Sequence, residues 1–312
     1  MEEKSKVCVT GGSGYKGHIV HATLRNLDDT SKVGLLKSVP NAVGRLVLFQ
    51  ADIYNPCEFE PAIDCQFVFH VAIPMVPNTH SSQCTRIRLK LPCWVMASSP
   101  LNQDGTGFKS SLDESCWTPL DFSYNYGDEF TMGYTKSKTL AEKEILSYND
   151  VENGKLEVVT LPCALVGAGG DTVLSYLPTS TNVILSQLTG KLYAFRALQL
   201  LQELLGSGPL VHVDDVCEVH IFCMDKPSLK GKFICAACDP TIREMVDYYR
   251  KSYPDLETSE EFLGVLDRGS ICNNAKLMED GFEYKYGMKM IIEDSVECAR
   301  RLGVLSSCLS SP

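Results

Sequence analysis

The sequence predicts an α/β fold, a doubly wound parallel sheet that lacks its first crossover helix. Three observations carry this. A β-rich run, Lys6–Thr10 (KVCVT), opens into a glycine segment with Gly11, Gly14 and Gly17. Strand-like and helix-like segments then alternate through the first half, the rhythm of βαβ units. The strand-like runs are nearly continuous in apolar residues, as parallel strands buried on both faces require.

In chain order, strands are expected at Lys6–Thr10, His18–Leu24, Arg45–Gln50 and Gln66–Ala72, with helices at Ser31–Ser38 and Pro56–Ala62. Residues Pro74–Cys93 hold Pro74, Pro77 and Pro92 and no helical period, so they read as irregular. A strand is expected at Trp94–Ser99. Tyr134–Asn149 is the strongest helix, with Leu140, Ile145 and Leu146 as its apolar face. A buried strand at Leu156–Leu161, a glycine loop at Gly167–Gly170 and a helix at Val183–Leu205 follow. Leu210–Val213 and Gly231–Ala236 read as strands returning to a sheet. Thr241–Leu305 reads as mostly helical, and residues 306–312 as a disordered tail.

The missing helix lies between the first two strands. A parallel crossover usually takes a dozen or more residues, and residues 11–17 supply seven. Fully extended, they reach roughly 23 Å, against about 17 Å to return along a five-residue strand. A taut link can therefore cross the sheet, at the expense of a relaxed glycine turn.

Composition excludes several classes. The 312 residues carry a net charge of −10 and no sustained basic run, which argues against nucleic acid and anionic membranes. No apolar run approaches the ~18 residues of a spanning helix, and the N-terminus has no secretory pattern. Fourteen cysteines without such a signal fit free thiols in a reducing cytoplasm.

Glycines at 11 and 14, after a strand, suit close approach of the backbone to a pyrophosphate. The plain alternative is a glycine-rich turn. Arg25 directly follows the second strand, with Lys32 nearby. A basic residue there favours the 2′-phosphate of NADP, although Asp28 and Asp29 are close and a solvated charged loop is the alternative. Tyr134 and Lys138 form Y-x-x-x-K at the start of a helix, so both side chains share one face. A neighbouring ammonium stabilises phenolate and suits the phenol to proton transfer. An exposed Tyr–Lys pair is the alternative. Cys235-Ala-Ala-Cys238 lacks a second pair at zinc spacing, so no metal is expected. His212, Asp214 and Asp215 read as a strand end with a capping Asp, and His70 as a core histidine.

Together these residues resemble the plant dihydroflavonol 4-reductase and anthocyanidin reductase family of extended short-chain dehydrogenases. The matching strings include VCVTGGSGY, LVLFQADIYNP, FVFHVAIP, YTKSKTLAEKEIL, LVHVDDVCEVHIFCM and FEYKYGMKMIIEDSVECARRLG, spread over nearly the whole chain. The resemblance implies a Rossmann domain (residues 1–163 and 208–238), a smaller substrate domain (164–207 and 239–305), and NADPH-dependent reduction of a phenolic ketone. It implies that Gly11 and Gly14 face the pyrophosphate and that Arg25 and Lys32 hold the 2′-phosphate. Asp52 and Ile53 would lie by the adenine, and Val71 and Ala72 would line the cofactor cleft. Pro162 would sit by the nicotinamide, Ser180 would touch the cofactor, and Tyr134 and Lys138 would be the catalytic pair. The chain departs from the pattern in the missing helix and at Trp94, which stands where the family has its catalytic serine. Ser98 and Ser99 are the nearby hydroxyls. Two readings stay open: a reductase, or an inactive product of altered splicing with weak or no nucleotide binding.

Overall fold

The computed structural model describes all residues except 1–4, 11–17, 53, 72–88, 95–96, 122, 152–156, 170–174, 227, 257, 259–261, 263–267 and 307–312. Of Thr10 and residues 89–94 it describes the backbone alone. The expected tail and the expected absence of a helix after Gly14 fall on residues outside this set.

The N-terminal elements are β1 (Lys6–Thr10), β2 (Ile19–Leu24), α1 (Thr30–Ser38), β3 (Leu46–Gln50), β4 (Phe67–His70) and β5 (Leu89–Trp94). Then come β6 (Ser111–Leu112), α2 (Glu129–Ser147), β7 (Val159–Cys163), β8 (Leu165–Gly167), α3 (Thr179–Ile184), α4 (Ser186–Thr189) and α5 (Leu192–Leu205). The remainder is β9 (Leu210–His212), α6 (Val213–Asp225), β10 (Gly231–Lys232), α7 (Ile242–Ser252), β11 (Ile271–Cys272), α8 (Ala275–Glu279) and α9 (Met288–Arg301).

Among the described residues the main sheet has seven strands in the order β10-β7-β5-β4-β1-β2-β3. The pairs β1–β2, β1–β4, β2–β3 and β4–β5 are parallel. Strand order reverses between β1 and β4, the switch point where doubly wound sheets hold ligands. The α/β expectation holds. The link between β1 and β2 is residues 11–18, short of the dozen or more that an ordinary parallel crossover takes.

Contacts divide the chain into two units. The first comprises residues 1–92, 143–160 and 220–231, and the second the remainder. In the first unit, the pleat sends Val7 and Val9 to one face with Val20, Ala22 and Phe69, where Met224 of α6 joins them. Phe69 meets the His220 ring edge-on at 5.1 Å. Cys8 points to the other face, packed with Val68 and Ala62 and flanked by Phe49, Cys65 and Ile145. Each buried Val, Phe or Met among them is worth about 1.5–3 kcal/mol. β3 departs from the expectation of burial on both faces. It is the edge strand, and Val47 is 43% exposed.

In the second unit α5 buries Ala194, Phe195, Leu198, Leu201 and Leu205, an i, i+4, i+7 stripe. Phe195 meets Phe262 at 4.9 Å. β9 returns to a sheet as expected, pairing with β8 in a separate two-stranded ribbon. The expected helix at 183–205 is three pieces, because Gly190 ends α4 in the left-handed region with φ 63°. α7 begins with a reciprocal capping box: the Thr241 hydroxyl accepts from the Glu244 N–H, and the Glu244 carboxylate accepts from the Thr241 N–H.

Two further boundaries differ. The strand expected at Trp94–Ser99 is β5, ending at Trp94, so part of the segment read as irregular is a strand. Its register sets Val68 opposite Leu89 and Phe69 opposite Lys90. α2 begins five residues before Tyr134, because Asp128 accepts from the Thr131 N–H at 2.7 Å and caps the first turn.

Candidate active site

Tyr134 and Lys138 stand one turn apart on α2, with the Lys138 Nζ 5.7 Å from the centroid of the Tyr134 ring. Both are half-buried. They lie in the second and third turns of the helix and do not open it. The expected apolar face is also corrected: Leu140 is 49% exposed, and the buried residues of α2 are Thr135, Thr139 and Glu142. Two polar residues can line the buried face because each threonine hydroxyl donates to the carbonyl four residues earlier, at 2.8 and 2.9 Å. Glu142, fully buried, continues the 134, 138 series by another turn. Sequence reasoning passed over it, although its i+4 spacing from Lys138 was a usable signal.

The two serines near the expected catalytic hydroxyl differ sharply. Ser99 is committed: its hydroxyl donates to the Leu204 carbonyl and accepts from the Leu101 N–H. Ser98 is fully buried, and its hydroxyl has no hydrogen-bond partner among the described residues. Pro162 lies in the wholly buried β7, where its carbonyl accepts from the Cys235 N–H at 3.0 Å. Ser180 is half-buried in the first turn of α3. All of these belong to the second unit.

The first unit carries the residues expected to meet the adenosine end. Arg25 follows β2 directly and is 67% exposed, with its Nε 3.4 Å from an Asp52 oxygen. Lys32 is held 3.2 Å from Asp29, which also caps α1 by accepting from the Lys32 N–H. Hydrogen bonds from Ser31 and from Lys32 hold the Asp29 carboxyl at about 2. Asp52 also accepts from the Tyr54 N–H at 3.1 Å. Val71, just past β4, packs on the Val7–Phe69 core. Gly11, Gly14, Ile53 and Ala72 lie outside the described residues.

His212 is at a strand end, as expected, closing β9 directly before α6. It is buried and stacks on Tyr286 with ring centroids 3.9 Å apart, and its Nε2 lies 3.1 Å from Asp294. Asp215 is a tertiary anchor, buried and accepting from the N–H groups of Lys285 and Tyr286. His70, expected in the core, is half-buried at the end of β4.

A putative anthocyanidin reductase of Ginkgo biloba is 32% identical over 336 residues, covering 97% of each chain. That alignment is longer than the 312 residues here, so it opens gaps in this chain. A dihydroflavonol 4-reductase of Dianthus caryophyllus is 31% identical, covering 96% of this chain and 88% of its own.

The chain belongs to the anthocyanidin reductase and dihydroflavonol 4-reductase family.

The crystal structure of vestitone reductase from alfalfa, Medicago sativa, superposes with a TM-score of 0.75 at 28% identity, covering 97% of this chain and all of that one. Yeast Gre2, a methylglyoxal/isovaleraldehyde reductase, shares the fold at a TM-score of 0.67 and 16% identity. No family model matches the chain. In this member of the family the Tyr134–Lys138 pair sits on α2. Among the described residues no helix is long and apolar enough to cross a membrane.

Proposed function

We propose that the chain reduces a carbonyl group of a flavonoid or related phenolic ketone, with NADPH as the hydride source and the cytoplasm as its compartment. The observation that carries this reading is the Tyr134–Lys138 geometry in a chain of this family. The donor set fits the cofactor: Arg25 directly follows β2 with its guanidinium largely open to solvent, where NAD-selective sheets place an acid. Asp52 beside it holds the guanidinium near the sheet edge. Lys32 is the second cation for the 2′-phosphate. Gly11 and Gly14 would face the pyrophosphate, Ile53 with Asp52 the adenine, Val71 and Ala72 the cleft wall, and Pro162 and Ser180 the nicotinamide end.

As hydride reaches the carbonyl carbon, negative charge develops on the carbonyl oxygen. Tyr134 donates its phenolic proton to that oxygen. The Lys138 ammonium stabilises the phenolate left behind and favours its formation. Trp94 supplies no hydroxyl for this oxygen. Ser99 is committed elsewhere, which leaves Ser98 as the candidate donor. A lost donor of this kind costs roughly 10²–10³ in rate.

Calorimetric titration with NADPH, followed by turnover on a panel of flavonoid ketones, tests the reading. Micromolar binding and Tyr134-dependent turnover support it, and no heat at millimolar NADPH overturns it. The second reading, a chain that no longer catalyses, draws on the short link between β1 and β2. Binding without turnover on any ketone supports it. Replacing Arg25 by Ala is expected to weaken NADPH about tenfold or more, as loss of a charge-assisted phosphate contact does. NADH affinity should hardly move. An equal loss for both cofactors would remove Arg25 from the 2′-phosphate.

A further inference from the structure

The first unit holds two thiols in one packed cluster. Cys8 lies mid-strand in β1 and is fully buried. Cys65 is half-buried in the turn that feeds β4, packed on the cluster formed by Cys8, Ala62 and Val68. The register brings the start of β4 beside β1, with Cys65 three residues before the partner of Cys8. β4 runs beside β1 with Val68 opposite Cys8, and the Gln66 N–H donates to the Lys6 carbonyl. The Cys65 N–H donates to the Ile63 carbonyl at 2.7 Å, which curls the chain there. The Cys65 thiol then donates to the Phe67 carbonyl at 3.1 Å, and Cys65 packs on the cluster that contains Cys8.

We propose that Cys8 and Cys65 are an oxidation site, a dithiol that a hydroperoxide converts to a disulfide tying β1 to the turn before β4. The two thiols have unequal roles. A hydrogen bond from Cys8 pulls the Cys65 thiol below its ordinary range, against the opposing effect of burial. The Cys8 thiol moves up, through that same hydrogen bond and through burial. Reactivity follows thiolate character and access, and both favour Cys65 as the point of attack. The Cys65 thiolate takes one oxygen from the peroxide as the O–O bond breaks. The other oxygen leaves as hydroxide and becomes water, and Cys65 is now a sulfenic acid. Cys8 gives up its proton, and its sulfur attacks the Cys65 sulfur. The S–S bond forms as the S–O bond breaks and a second water leaves. Two thiols and one hydroperoxide thus give one disulfide and two waters, or water and an alcohol from an alkyl hydroperoxide. Reaching the ~2.05 Å of an S–S bond requires the turn at Cys65 to move, because Val68, three residues further on, stands opposite Cys8.

The test uses the full-length folded chain and no cofactor. Stepwise hydrogen peroxide is added at concentrations that leave the circular dichroism unchanged. Thiols are then quenched by alkylation, and the chain is digested without reductant for mass spectrometry. The expected product is a peptide pair containing Cys8 and Cys65, lighter by two hydrogens than the reduced peptides and separated by dithiothreitol. In Cys65→Ser, Cys8 should stay reduced at the same peroxide dose. Conversion of Cys65 to sulfinic acid with Cys8 still reduced overturns the proposal. So does equal oxidation of Cys8 in Cys65→Ser. The wild-type map decides the question even where a variant folds poorly.

Discussion

Tyr134→Phe is expected to lower kcat on any flavonoid ketone that the wild-type chain reduces by roughly 10²–10⁴, the contribution of a positioned general acid. At 1.36 kcal/mol per tenfold, that is about 3–5 kcal/mol of transition-state stabilisation. The substitution removes one oxygen and keeps the ring. The contact between that ring and Lys138, 5.7 Å away, therefore survives, and so does the helix, whose capping and threonine back-bonds do not involve the phenol. NADPH affinity by calorimetry should be unchanged within about threefold, a difference under 1 kcal/mol. The loss then falls on kcat and on kcat/KM together, the signature of an interaction made only in the transition state. A fall of less than tenfold would take the proton-donor role away from Tyr134.

Gly206→Ala is expected to destabilise the second unit by about 2–4 kcal/mol, combining left-handed strain with overpacking. Gly206 ends α5 at φ 77°, and its N–H donates to the Gln202 carbonyl. A Cβ there would stand 2.2 Å from the Ser270 backbone nitrogen and 2.7 Å from the Gly269 carbonyl carbon. Both are backbone atoms, so no rotamer relieves the clash. The Gly269 N–H also donates to the Gly206 carbonyl at 2.8 Å, and moving the segment away breaks that bond. Gly190→Ala is the control. Its φ is 63°, but nothing lies within 4 Å of the added Cβ, so it pays only the ~1–2 kcal/mol of conformational strain. Urea unfolding followed by circular dichroism should rank the wild type above Gly190→Ala, and Gly190→Ala above Gly206→Ala. Equal losses in the two variants would show that the Gly269–Ser270 segment yields freely.

Elements with a strong local pattern were legible within a residue or so. β1, β2 and α1 match their apolar runs and caps. Elements held by distant partners were not. β5 reads poorly as a strand because Lys90 and Pro92 interrupt it, and proline speaks against a strand interior. Its pairing with Val68 and Phe69 overrides that preference. The start of α2 was missed for a different reason. Gly133 weakens the helical pattern, while the Asp128 cap, with Glu129 in the first turn, was present in the sequence and outweighs it. The inward turn of Thr135, Thr139 and Glu142 runs against the apolar pattern, and only packing reveals it.

The sequence by itself determined the family, the parallel sheet, the basic residue after β2 and the Tyr134–Lys138 spacing. Each is encoded in residues adjacent along the chain or one helical turn apart, where backbone sterics and side-chain period act directly. The tertiary structure alone decided that Arg25 meets Asp52, that Ser99 is committed to Leu204 while Ser98 is not, that His212 stacks on Tyr286 beside Asp294, and that Cys65 packs on the cluster around Cys8. Those partners lie between 27 and 105 residues apart. At such separations local propensity carries no information about pairing. Strand register and burial select the partner, and both exist only once the sheet has closed.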